Sequence, residues 1–238
     1  MIRRHRHLAS DIWNIPNTPG GPSSDWSVQG VGDFNGDGMA DILWQSASTG
    51  EVVIWFMNGT SIASSLALGA VPGWSVVGVG DFNGDHMTDI LWQNQATAED
   101  VIWLMNGTGV NASGTPGSPG APWSVTGIGD FNGDGDADIL WQNTATGQLV
   151  VWLMNGTAIS ASGSPGNPGL PSSPWSVQQI GDFDGDGKSD ILFYNDATSQ
   201  VIIWLMNGAA ISASGSPGIP GLAWQVQTRP PRLPARPR

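Results

Sequence analysis

Four short windows of the chain place oxygen-bearing side chains at every second position. Counted from the first aspartate of each, positions 1, 3, 5 and 9 are Asp33, Asn35, Asp37 and Asp41 in the first window. The second has Asp81, Asn83, Asp85 and Asp89, and the third Asp130, Asn132, Asp134 and Asp138. The fourth has Asp182, Asp184, Asp186 and Asp190. Glycines lie between them, as in GDFNGDGMADILW (residues 32–44), so each window reads as a tight turn whose alternate side chains converge on one point. Such a donor set suits a hard cation such as calcium, which takes about six to eight oxygens at about 2.3–2.6 Å. Position 7 would add a backbone carbonyl, from Met39, Met87, Asp136 and Lys188.

The windows begin like an EF-hand loop, D-x-[DN]-x-[DN]-G, and end unlike one. Where that loop has a bidentate glutamate, position 12 here is Trp44, Trp92, Trp141 or Phe193. The last acid has moved to position 9, and apolar, β-branched runs flank the loop, so the reading is a calcium loop in a β-hairpin. A solvated turn rich in Asp, Asn and Gly is the plainer alternative. Fourteen of the twenty acids fall in these four windows, where like charges repel, and a turn alone needs no such crowding. About four calcium ions are therefore expected. The sixth position is Gly38, Gly135 or Gly187 in three loops and His86 in the second, which makes the second loop the expected weakest site.

Charge elsewhere agrees. Net charge is −12, but seven of the eight basic residues lie at the ends: Arg3, Arg4, Arg6, Arg229, Arg232, Arg236 and Arg238. Between residues 7 and 228, Lys188 alone faces all twenty acids, a formal charge of 1 − 20 = −19. Such a body repels nucleic acid and anionic membranes, so neither is expected as a partner. No run approaches the length of a membrane-spanning helix, and MIRRHRHLAS has no apolar stretch after its basic start to make it a secretory signal.

The loops belong to a larger repeat. WSV begins at Trp26, Trp74, Trp123 and Trp175, with WQV at Trp224, at intervals of 48, 49, 52 and 49 residues. Each unit runs WSV, GDF, the acidic loop, DILW or DILF, a polar turn, a Val/Ile/Trp-rich run closed by Asn-Gly, and a segment alternating small and apolar residues. These are four short strands bounded by turn residues, and Asn-Gly predicts a type I′ hairpin turn. Gly/Pro-rich connectors such as GTPGSPGAP read as extended loops. Four antiparallel strands recurring at this period predict an all-β propeller built of four-stranded blades. The expected units are 26–73, 74–122, 123–174 and 175–223. Segment 1–25 and segment 224–238 are each expected to supply a strand of a partial blade split between the termini, the latter ending in a disordered basic tail.

These residues resemble a known family. The motif DxNGDGxxDI after WSVxGxGDF is similar to the FG-GAP/VCBS repeat of integrin α-subunit propellers and of many bacterial secreted proteins, over residues 26 to about 223. The resemblance implies a β-propeller whose loop joins the first and second strands of each blade and holds calcium through the positions named above. It also implies an extracellular or cell-surface setting and a role in adhesion or ligand recognition, with an unknown protein or glycan as ligand. His86 departs from the pattern. So does the repeat number, because such propellers usually have seven blades; a strained small ring or self-association to complete a larger one is expected.

Other chemistry has less support. Eleven of the thirteen tryptophans recur in fixed slots, which favours a core role over a row of sugar-stacking surfaces, although a propeller lectin stays open as the alternative. A non-catalytic domain of a larger secreted enzyme is the second alternative. There is no cysteine, the histidines are His5, His7 and His86, and the acids outside the loops are Asp11, Asp25, Glu51, Glu99, Asp100 and Asp196, none in a recurring setting. No catalytic residue is assigned, and the chain is not expected to be an enzyme.

Overall fold

A computed structural model describes residues 25–167 and 174–218. The described residues are all-β, without a helix, in four antiparallel sheets of four strands, each taken in chain order. The first sheet is β1 Trp26–Gly32, β2 Asp41–Ser46, β3 Glu51–Asn58 and β4 Ser61–Ala70. The second is β5 Trp74–Gly80, β6 Asp89–Asn94, β7 Asp100–Met105 and β8 Val110–Gly114. The third is β9 Trp123–Gly129, β10 Asp138–Asn143, β11 Leu149–Asn155 and β12 Ala158–Gly166. The fourth is β13 Trp175–Gly181, β14 Asp190–Asn195, β15 Val201–Asn207 and β16 Ala210–Gly215. Each acidic window joins the first and second strands of its sheet. The two strands expected at the termini lie outside the described residues.

The sheets stack face to face through their first strands, β1 on β5, β5 on β9 and β9 on β13. The core therefore lies between sheets rather than within one. Phe34, Leu43 and Ile54 of the first sheet pack with Ile90, Trp92 and Met105 of the second, and the pattern repeats at the next two joints. This is why the second strands of the inner sheets are apolar on both faces. Ile90, Leu91 and Trp92 are all buried, as are Ile139, Leu140 and Trp141, whereas Ile42 and Trp44 of the end sheet are only half-buried. Closure of the stack into a ring is not seen among the described residues.

Each first strand carries a bulge, at Gln29, Val77, Thr126 and Gln178. A bulge inserts one residue and resets the alternation. Val28 and Val31, three apart, can then share a side, as do Val76 and Val79 in the core between the first two sheets. The Asn-Gly hairpins differ from expectation. Asn58 pairs with Ser61, so Gly59 is the first central residue with φ 60°, and Thr60 has no positive φ. Asn155 and Asn207 repeat the arrangement with Gly156 and Gly208. Glycine at the first central position with a negative φ after it is the type II′ pattern rather than type I′. The dipeptide marks the turn correctly, but the strand register moves it back by one residue.

Candidate metal centres

Each acidic loop is organised by its first aspartate. In the first loop Asp33 Oδ1 accepts the amides of Asn35, Gly36 and Asp37 at 3.3, 2.7 and 3.2 Å, and Oδ2 accepts that of Gly38 at 2.7 Å. Asp130 holds Gly133 and Gly135 in the same way, and Asp182 holds Gly185 and Gly187. One carboxylate thus gathers the turn's backbone donors around itself, which a charged acceptor does better than a neutral one. Position 5 accepts the amide of position 7 at 2.8 to 2.9 Å in all four loops.

Position 9 has a second task that its spacing did not reveal. Asp41, Asp89, Asp138 and Asp190 are buried. In each, Oδ2 accepts the amide of the position-2 Phe, at 3.0, 2.8, 2.8 and 2.9 Å. In each, Oδ1 accepts the amide of a third-strand methionine at 2.8 Å: Met57, Met105, Met154 and Met206. The residue pins the loop's start to the third strand. Burial lifts the Asp89 and Asp138 carboxyls to about 7, against the pull of the two amides and with further push from the aspartates at positions 5 and 1. Asp41 is raised for the same reason. Asp41, Asp89 and Asp138 lie beside other acids, with no compensating cation side chain among the described residues, so these three loops are short of positive charge.

The donor set is all oxygen, as a hard cation requires. In the fourth loop, oxygens of Asp182, Asp184 and Asp190 lie within 4.8 Å of one another. In the other three loops, position 3 is an asparagine whose Nδ2 donates to the position-5 carboxylate, at 3.1, 3.0 and 2.7 Å, while its Oδ1 accepts the position-5 amide. Asp184 cannot donate in this way, which sets the fourth loop apart. Lys188, the cation beside that loop, pairs with Asp186 at 2.9 Å.

The loops also bond to one another, through groups that side-chain spacing could not show. The amide of position 8 in one loop donates to the position-1 carbonyl of the loop before: Thr88 to Asp33, Ala137 to Asp81 and Ser189 to Asp130, at 2.6, 2.5 and 2.6 Å. The hairpin glycines Gly156 and Gly208 donate to the Phe82 and Phe131 carbonyls of the preceding sheets at 2.7 and 2.8 Å. The FG-GAP-like repeat matches three overlapping stretches of the chain, residues 33–92, 81–141 and 130–193. The chain belongs to the FG-GAP-like repeat family. Each family match runs from position 1 of one loop to position 12 of the next, so the FG-GAP unit spans one of these loop-to-loop joints. No curated protein matches the chain.

Proposed function

We propose that this FG-GAP-like repeat chain is a calcium-binding β-propeller module of the extracellular space or cell surface, serving adhesion or ligand recognition. In this reading each of the four loops holds one calcium ion. The side chains at positions 1, 3, 5 and 9 and the carbonyl at position 7 are the ligands. Calcium neutralises the loop and fixes it between first and second strands, and it does no chemistry; no catalytic group is assigned. The observation that carries the reading is the fourth loop, where three carboxylates converge within 4.8 Å on a turn already folded around Asp182. The raised Asp89 and Asp138 carboxyls support it, since a cation there removes the cost of burying charge beside charge.

The lectin alternative is weaker, because the repeated tryptophans are buried or half-buried and most of them pack in the joints between sheets. A sugar-stacking surface needs an open indole face. The ligand of the module is therefore proposed only as a protein or a glycan read by side chains other than these.

Calcium that binds only the native state adds about 2.7 kcal/mol per site at a hundredfold excess over Kd. Chelation should lower the melting temperature, calcium should restore it, and sodium should not. Native mass spectrometry should count about four ions. A melting curve indifferent to chelator and to added calcium would sink this reading.

A further inference from the structure

We infer that the two end faces of the sheet stack are the two halves of one joint, and that a second copy of this chain docks head to tail across it. The three internal joints show how such faces fit. Val79 sits against Gly30, Ile128 against Gly78 and Gly80, and Ile180 against Gly127 and Gly129. The fit is close: a Cβ on Gly30, Gly78 or Gly127 would come within 2.7, 2.7 or 2.5 Å of the incoming side chain. At the first sheet the equivalent Val31 is 57% exposed and Val28 39% exposed, with Met39 open beside them. At the fourth sheet Phe183 is 43% exposed, whereas its counterparts Phe34, Phe82 and Phe131 are fully buried by the sheet that follows. Beside it, a Cβ on Gly181 would meet nothing within 4 Å, whereas one on Gly80 or Gly129 would meet the next sheet.

Five large hydrophobic side chains are exposed among the described residues, and four of them are these end-face residues. Exposed apolar surface gathered in this way marks an interaction site. The chain itself carries the surface that fits each end. The first sheet offers the β-branched face that every later sheet inserts, and the fourth offers the face that every earlier sheet presents. A copy of the same chain carries both, so one joint satisfies both ends. Its symmetry is heterologous, which produces a ring when the rotation closes and an open chain when it does not.

One residue makes this joint unlike the internal ones. Where the first three sheets have Gly30, Gly78 and Gly127, the fourth has Gln179. A side chain at that point blocks the close seating seen inside the chain, so copies join more loosely than sheets do. The inference rests on the sheet stacking and not on calcium, so the chelation test above can fail without touching it.

The test is sedimentation velocity of the full chain across a micromolar concentration series, with Val31→Glu and Phe183→Ser as variants. Both sites are exposed, and circular dichroism checks that each variant folds. The wild-type chain should associate with rising concentration, and each variant alone should stay monomeric. An equal mixture of the two variants should form a dimer and nothing larger, because one intact half of the joint remains on each. Gln179→Gly should associate severalfold more tightly than wild type. A wild-type monomer at every concentration overturns the inference, as would result if residues outside the described ones cover either face. Association that survives both variants, a mixture that stays monomeric, or a Gln179→Gly variant no tighter than wild type would overturn it equally.

Discussion

The third and fourth acidic loops share the hydrogen bonds of their position-1 and position-9 aspartates and differ in what covers them. Asp130 and Asp182 each hold the amides of positions 4 and 6, and Asp138 and Asp190 each tie a Phe amide to a third-strand Met amide. Yet Phe131 is wholly buried and Phe183 is 43% exposed. The loop's internal geometry is therefore set within its own sheet, by aspartate and glycine in nine residues and by one third-strand methionine amide. Burial of its phenylalanine belongs to the joint, dictated by the sheet that follows. Loop and joint are separate sources of stability that the repeat superimposes in one motif.

The largest break in that comparison should come from truncating the two phenylalanines. Phe131→Ala removes a fully buried ring from the joint between third and fourth sheets and should cost about 3–5 kcal/mol. Phe183→Ala, at the same motif position, should cost less than about 1 kcal/mol, since little is lost from an open face. Denaturant unfolding of the dilute chain measures both. Equal costs would mean that the fourth sheet's outer face is covered and that the two loops do not differ as described.

The repeat was legible because each copy repeats the same demand. Trp-Ser-Val, Asp-Ile-Leu and an apolar run with Trp second and Met last, such as Ile-Trp-Leu-Met, return every 48 to 52 residues, and each lies on a strand in every sheet. The loops were legible as tight turns because Asp, Asn and Gly at these positions are turn formers. What stayed hidden were contacts made by backbone groups. Nothing in the residue type of Asp41 says that the amide of Met57, sixteen positions on, will lie opposite it. The bonds from position 8 to the preceding position-1 carbonyl leave only a faint mark, the small residues Thr88, Ala137 and Ser189. The split partial blade fell on residues outside those described.

Asp100 sharpens a second contrast, between one strand and its equivalents. It is buried where the other sheets have Val52, Leu149 and Val201, and its Oδ1 accepts from Gln93 at 3.0 Å. Burial raises this carboxyl to about 6, opposed by hydrogen bonding from Gln93 and Ser118 and reinforced by the nearby charge of Glu99. The folded state thus holds the proton more tightly than the unfolded chain, whose aspartate titrates near about 4. Stability from this group is full below about pH 4 and is lost as pH rises towards 6. Asp100→Asn keeps a partner for Gln93 and removes the charge. It should gain on the order of 1–2 kcal/mol at pH 7 and nothing at pH 4. A gain independent of pH would show that charge burial is not the cause.

The smallest expected effect separates the second loop from the other three. His86 has φ 67°, matching 83°, 94° and 85° at Gly38, Gly135 and Gly187. A side chain meets no obstacle at this position, because a Cβ on any of those three glycines would find nothing within 4 Å. The cost is therefore confined to the backbone, where a left-handed conformation disfavours any residue with a Cβ by about 1–2 kcal/mol. Glycine also loses more chain entropy on folding, about 0.5–1 kcal/mol, which offsets part of the relief. The turn itself is unchanged, since the His86 amide still donates to Asp81 Oδ2 at 2.7 Å, as Gly38 does to Asp33. His86→Gly should then raise stability by about 0.5–1 kcal/mol, and Gly135→His should lower it by a similar amount in the third loop. Unfolding measured with calcium and with chelator divides the effect. A gain present in both places the strain in the fold, whereas a gain only with calcium places it in the bound loop and tightens that site by up to about fivefold. No change in either condition would mean that position 6 carries no strain, and the second loop would lose its distinction from the rest.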